Sequence, residues 1–377
     1  MVALSVFVSA HALGAETIAF VGVNVVTMED DEPLHGYTVV VRDGSIESIG
    51  PMTEAILPDG ARVIYASGRW MMPGLIDMHA HIRAADVGRY IASGVTTVRD
   101  MAGLGSVLTL ARQIESGELT GPRIIAGTRL IDGPNPANPF FSVPLPDAAA
   151  AESVVDGELA RGCRFVKVYD NLTRALYDAV VAAARERGVK VAGHVPRSVA
   201  LDHALASQDC IEHLSGYSAA LAAVQASATR DAGVWNCPTM YVFSASVTAG
   251  MPPADRTRVL DARRAVVRAL SDAGARILAG TDGGYLVPAG TSLVEELEEL
   301  RAAGLTHYAA LRAATRDAAE YLEISTLGVI REDAAADLIL LDANPLEAFD
   351  TLRRPVGVVV RGEWHPLIAP RRRAAAK

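Results

Sequence analysis

Eight short apolar runs, alternating with Ala-rich amphipathic stretches, constrain this chain more than any other feature. They are LIDMHAH, TTVRDM, RIIAGTR, FVKVYD, KVAGHV, CIEHL, VWNCPTMYV and RILAGTD, spread between Met72 and Glu323. An apolar run followed by a stretch with helical period is the pattern of repeated βα units around a parallel sheet. The connectors carry helix stop signals, as where ALYDAVVAAARERG ends at Gly188 and SLVEELEELRAAG at Gly304. Eight strands suit closure into a (β/α)8 TIM barrel, an α/β fold. An open doubly wound sheet is the alternative. To bind a dinucleotide it would need a Gly-rich phosphate turn after the first strand, and nothing like GxGxxG follows His81.

The flanks follow a different grammar. IAFVGVNVVTM, YTVVVRDGSIESIG and ARVIYAS read as short strands, with Asp43-Gly44 as a hairpin turn. Strands return at Asp337 to Asp342 and at Pro355 to Arg361. The two ends are therefore expected to share one small β-sandwich, residues 17–70 with 324–377, around a barrel spanning 71–323. Residues 1–16 stand apart. Met1 to Ala12 is a short apolar run ending in Ala10-His11-Ala12, which resembles the core and cleavage site of a secretory signal but lacks its basic start. Read as a signal remnant, it implies a periplasmic or secreted protein; read as a frayed terminus, a cytoplasmic one.

Composition excludes several classes. A net charge of −9 opposes phosphate binding, and the one basic cluster is Arg371-Arg372-Arg373, so nucleic acid is not expected. No run approaches the ~20 apolar residues of a membrane span. Cys163, Cys210 and Cys237 are odd in number and form no CxxC pair, which argues against both a disulfide framework and a thiolate zinc site. The expected partner is a small-molecule substrate, met by a monomer or a homo-oligomer.

The chemistry gathers at strand ends. His79 and His81, two apart on one strand, face the same way, toward the barrel interior at its C-terminal end, where barrel enzymes keep their sites. Three later runs each deliver a ligand-type side chain at the same level: His194 in KVAGHV, His213 in CIEHL and Asp282 in RILAGTD. Imidazole and carboxylate suit Zn2+ first, with Mn2+, Co2+ or Fe2+ as alternatives. Lys167 lies in the apolar run FVKVYD, where a buried ammonium is costly unless paired or altered. It either becomes a carbamate, an anionic ligand able to bridge two cations, or reaches the rim or an acid such as Asp170.

GLIDMHAH, VKVYD, AGHV, IEHL and AGTD, in that order between two terminal β segments, resemble the amidohydrolase superfamily. More narrowly, the chain resembles imidazolonepropionase-related hydrolases that include Xaa-Pro and other dipeptidases. The likeness implies a binuclear centre: one ion on His79, His81 and Asp282, a second on His194 and His213, and carboxylated Lys167 between them. It implies hydrolysis of a C–N amide bond in a dipeptide or N-acyl amino acid by metal-bound hydroxide, with Asp282 as general base and then general acid. A mononuclear lactam hydrolase or deaminase, and ester or phosphotriester hydrolysis, are the alternatives. The deaminases usually carry a glutamate three residues after the fifth-strand histidine; Arg197 stands there instead.

Weaker candidates for substrate contact are Tyr169, on the inward face shared with Lys167, Arg197, able to attract a substrate carboxylate, and Tyr241, near the end of VWNCPTMYV. Arg99 and Asp100 are expected to pair with one another beneath the site. His11, His35, His203, His307 and His365 lie away from strand ends and receive no role.

Overall fold

The structure is a computed structural model and describes residues 16–367. The signal-like run and the terminal arginines lie outside that range. The first strands are β1 (Ile18–Val25), β2 (Leu34–Arg42), β3 (Ser45–Pro51), β4 (Arg62–Tyr65) and β5 (Trp70–Pro73). The middle of the chain supplies β6 (Leu75–Ala80), β7 (Val95–Asp100), β8 (Arg123–Asp132), β9 (Ser142–Pro144), β10 (Phe165–Val168), β11 (Val191–Gly193), β12 (Cys210–Glu212), β13 (Trp235–Cys237) and β14 (Arg276–Ile277). The end supplies β15 (Leu338–Leu341), β16 (Gly357–Val360) and β17 (Glu363–Pro366).

Both chain ends do enter one sheet, in the order β17-β16-β15-β5-β1-β2-β3 with β4 beside β1. β15 joins the two halves by running antiparallel to β5, from Leu338 opposite Pro73 to Leu341 opposite Trp70. The β2–β3 hairpin turns at Asp43-Gly44, both left-handed at φ 48° and 79°, which is why a short polar residue followed by glycine stands there. A single residue, Gly74, separates this sheet from the next. Its amide bonds Asp337 O at 2.7 Å, so the first parallel strand is tethered to the terminal sheet at its root.

The eight apolar runs become eight parallel strands in the order β14-β13-β12-β11-β10-β8-β7-β6, with β9 added beside β8. The fold is mixed α/β and the sheet is curled. Met78 N donates to Ala279 O at 2.9 Å, and Ala80 bridges Gly283 in parallel, so the first strand meets the segment just beyond the last. Curling carries the C-terminal ends of the strands to one place. Several strands are shorter than their apolar runs suggest: VWNCPTMYV is strand only to Cys237, after which Thr239 turns left-handed at φ 48° and a helical turn Met240–Val242 begins. The stops at Gly188 and Gly304 are positive-φ residues just past helices Arg174–Glu186 and Ser292–Ala302.

Candidate active site

His79, His81, Lys167, His194, His213 and Asp282 line one cavity of about 350 Å³ at the C-terminal ends of the parallel strands. Their rings are close: 4.4 Å between the centroids of His79 and His213, 4.8 Å between His194 and His213, and 5.6 Å between His79 and His81. Asp282 Oδ1 lies 3.1 Å from His81 Nε2 and 3.6 Å from His79 Nε2. His79, His81 and Asp282 hold their ligand atoms within 4.8 Å of one another, a group able to hold a metal ion.

Local backbone explains the convergence. Gly280 precedes Asp282 because a side chain there would sit 2.6 Å from the His79 amide, so only glycine lets the last strand approach the first. Gly193 precedes His194 at φ 148°, with Val168 O where a Cβ would lie. His213 and Asp282 are themselves left-handed, at φ 59° and 58°. Backbone in that region costs free energy for a residue with a side chain, and such strain concentrates at functional sites.

Three of the four rings are oriented from behind, while His81 Nδ1 is buried without a partner among the described residues. His79 Nδ1 donates to Glu212 Oε2 at 2.6 Å, His194 Nδ1 donates to Asp170 Oδ1 at 2.6 Å, and His213 Nδ1 lies 2.7 Å from Thr239 Oγ1. An ionised carboxylate only accepts, so the proton of His79 and of His194 is on Nδ1 and Nε2 keeps its lone pair for the cavity. That is the arrangement in which a carboxylate orients a ligating imidazole. Asp77 works one layer lower, accepting from the amides of His79 and Thr281 and from the Thr281 hydroxyl at 2.7 Å.

Electrostatics follow from burial and pairing. Burial, reinforced by the Lys167 charge, pushes His79 down to about 4, although Glu212 opposes this. Burial, with the neighbouring His79 ring, takes His213 well below the usual imidazole range. Burial would raise Glu212, but Arg99 and His79 outweigh it and hold that carboxyl well below its ordinary value. Asp282 is likewise held low against burial, by the hydrogen bond from His81 and the charges of His79 and His213. Burial drives the Lys167 ammonium down. Its Nζ is buried and has no hydrogen-bond partner among the described residues. The donor set, neutral imidazoles and a carboxylate with an orphaned buried amine among them, fits a divalent cation.

Tyr169 also lines the cavity, its ring 4.3 Å from that of His194 and its phenol pushed up to about 12 by burial. Two of the weaker candidates lie outside the cavity lining, and one expected pairing needs correction. Tyr241 is absent from the lining: it sits in the helical turn after the left-handed Thr239, which directs Val242 and Phe243 to the cavity instead, while its own amide donates to Glu296 at 2.7 Å. Arg197 is also outside the lining, its guanidinium spent on Asp170 at 3.0 Å. Arg99 does not pair with Asp100. It runs inward, giving Nη2 to Glu212 at 2.6 Å and Nε to Met78 O at 2.6 Å, while Asp100 accepts the amides of Ile82, Ala102 and Gly103. His35, His203, His307 and His365 lie outside the cavity, and His11 lies outside the described residues. Glu212 is a functional residue outside the ligand pattern of the sequence, although a carboxylate in an apolar strand beside His213 is a visible signal.

The amidohydrolase family matches residues 70–365 of the chain. An uncharacterised protein of Mycobacterium tuberculosis is 30% identical over 332 residues, covering 80% of this chain and 87% of the relative. Among solved structures, a Xaa-Pro dipeptidase with methionine bound in its active site superposes with a TM-score of 0.80 at 22% identity, over 93% of this chain and 100% of the other, a likeness of fold. Bottromycin amidohydrolase superposes at 0.75 with 28% identity, over 92% and 86%. A family match across most of the chain, a 30% identical relative along most of its length and these superpositions agree: the chain is a hydrolase and belongs to the amidohydrolase family.

Proposed function

We propose that the chain hydrolyses the C–N amide bond of a small substrate, a dipeptide or an N-acyl amino acid, at a centre of divalent metal held by His79, His81, Lys167, His194, His213 and Asp282. The observation that carries this is the convergence of the four imidazoles on one cavity, three of them, His79, His194 and His213, with Nδ1 occupied behind the ring so that Nε2 faces the cavity. Zn2+ suits the donors best, with Mn2+, Co2+ or Fe2+ as substitutes. His79, His81 and Asp282 would hold one ion and His194 and His213 another, with Lys167, as a carbamate, supplying the further anionic ligand. A buried lysine with a lowered pKa and no partner is an amine able to react with carbon dioxide, and the product is the anion the cation-binding site lacks. When bound, the metal supplies an acidified water and a Lewis acid for the scissile carbonyl.

Asp282 is the proton carrier. Held ionised by His81, it accepts the proton of the attacking water at a carboxylate oxygen and returns it to the nitrogen that leaves. Tyr169, Phe141 and Tyr285 shape the space around the substrate. In the same reading the curled sheet is a closed (β/α)8 barrel over residues 71–323, and the terminal sheet is a small β-sandwich. The names of the solved relatives, a Xaa-Pro dipeptidase and an amidohydrolase of bottromycin, support amide chemistry.

Metal analysis and a dipeptide screen test it together. About two equivalents of metal per chain, activity lost in Lys167→Ala and partly restored by short carboxylic acids, and a loss of about 10²- to 10⁴-fold in Asp282→Asn are expected. One equivalent with full activity in Lys167→Ala would instead support a mononuclear lactam hydrolase or deaminase.

A further inference from the structure

The cavity changes character a few ångströms from the ligand set. Three loops that follow strand ends close around it. The loop between β8 and β9 brings Phe141, the loop after β13 brings Val242, Phe243 and Val247, and the loop after β14 brings Tyr285 and Leu286. Phe141 is the hub. Its ring lies 5.2 Å from Tyr285 in an edge contact, 5.5 Å from His81 and 4.8 Å from Phe140. Such edge-to-face aromatic arrays form receptive walls for a further ring.

The array continues to the surface. Phe140 is 70% exposed, Leu286 54% and Tyr285 50%, a concentration of large apolar side chains at one mouth. Scattered exposed apolar residues are ordinary, but a contiguous patch continuous with a chemically equipped cavity marks a binding surface. Charge is sparse on the same wall: Arg263 lies against the Phe243 ring at 3.3 Å but is outside the lining and gives Nη2 to Pro238 O at 2.8 Å. Among the described residues lining the cavity, the charged side chains are Lys167 and Asp282, both in the ligand set. Arg83, stacked over the Tyr285 ring at 5.3 Å, is bonded to Asp86 at 2.7 Å, and Arg197 is bonded to Asp170. Both guanidiniums are already paired with an acid of the chain, and neither lines the cavity.

Resting on the amide-hydrolase reading above, we infer that this site selects its substrate by an aromatic or bulky apolar group flanking the scissile amide, seated on Phe141, Phe243 and Tyr285, and not by a free carboxylate. Burying a ring on this wall favours substrates that carry one, since removal of apolar surface from water needs no charged partner. A substrate carboxylate placed against these rings would be desolvated with no charged side chain on the wall itself to pair with, which costs free energy.

The test uses the full chain loaded with Zn2+ and a matched set of amides followed by chromatography. N-acetylglycinamide is the reference; N-benzoylglycinamide and N-acetylphenylalaninamide add a ring on the acyl or the amine side; N-benzoylglycine and N-acetylphenylalanine restore the carboxylate; glycyl-proline and methionyl-proline are non-aromatic dipeptides. An aromatic ring on at least one flank is expected to raise kcat/KM at least tenfold, and removing the carboxylate to change it less than about threefold. Phe141→Ala and Tyr285→Ala should each compress the ratio of aromatic to acetyl substrate about tenfold. Binding of benzylphosphonate, read by calorimetry, should weaken in the same variants, which separates lost recognition from lost chemistry. Dipeptides cleaved with no gain from the ring, or a carboxylate whose removal costs more than tenfold, would overturn this inference and leave amide hydrolysis standing. Failure to cleave any member of the set would overturn both.

Discussion

His79 and His194 are served by the same three-part device, an imidazole held by a carboxylate that is held by an arginine, built once in the core and once at the rim. In the core, Glu212 and Arg99 are both 0% exposed. At the rim, the Asp170 side chain is 23% exposed and that of Arg197 is 71% exposed. The hydrogen bonds to the imidazoles are both 2.6 Å. Identical chemistry therefore carries different energetics. Water replaces a lost partner at the rim, whereas in the core each charge exists only because the next one does.

The largest consequence is for Arg99→Met. That change leaves the Glu212 carboxylate buried without its guanidinium partner, with His79 and the more distant Lys167 against it, and breaking a buried pair by removing one partner costs about 3–5 kcal/mol. Arg99 also crosses the floor of the curled sheet to Met78 O and lies over the rings of Tyr321 and Phe165, so packing is lost with the charge. Calorimetric unfolding should show a large drop in Tm for this variant. Adding Glu212→Gln to it should recover part of the loss, because no stranded charge remains. Equal shifts for Arg99→Met and Arg197→Met would break the contrast between core and rim.

The two regions were also unequally readable. The ligand set stands out in the sequence because strand periodicity puts His79 and His81 on one face and because His194, His213 and Asp282 each lie at or near the C-terminal end of an apolar run. The residues that orient the rings do not. From the sequence Asp170 offers itself as a partner for Lys167 and Glu212 as no partner at all, since which acid faces which imidazole depends on the stagger of neighbouring strands. Arg99 and Asp100 are adjacent, which suggests a pair, but consecutive strand residues face opposite sides, and the structure sends one inward and the other to three loop amides. Tyr241 failed for another local reason. A left-handed Thr239 ends the strand early, and single-residue backbone reversals leave no periodic trace.

Glu296 sharpens the comparison by supplying a carboxylate buried as deeply as Glu212 but held by the amides of Met240 and Tyr241 in place of an arginine. Burial outweighs those two amides and raises it to about 8, where Glu212 is driven the other way by Arg99. The folded state thus keeps the Glu296 proton well above the ordinary carboxylate range. Its contribution to stability is fully present below about pH 4.5 and is lost as pH rises through about 8. Glu296→Gln, neutral at every pH, should flatten the fall in Tm between pH 5 and 8. At pH 5 it should be less stable than wild type by about 1 kcal/mol, since one amide oxygen accepts where two carboxyl oxygens did, and that difference should shrink and reverse as pH approaches 8. A wild-type Tm that climbs over that interval would contradict the assignment.

Arg197→Met carries the smallest effect and separates two roles for that side chain. As a rim partner of Asp170 it contributes less than about 1 kcal/mol, because a mostly exposed guanidinium gives up little hydration and is screened by salt. Asp170 still accepts from His194 without it, so the ring stays oriented and kcat/KM on amides lacking a carboxylate should change by less than about threefold. The residual stability difference from wild type should vanish near 1 M salt, where the Debye length falls to about 3 Å. If Arg197 left Asp170 to receive a substrate, the signature would be different in kind: KM rising tenfold or more for substrates with a free carboxylate, with kcat and the amide series unmoved. Measured on the same matched substrates, that split decides whether the rim arginine only steadies His194 or also reads the substrate, and the 3.0 Å bond to Asp170 favours the first.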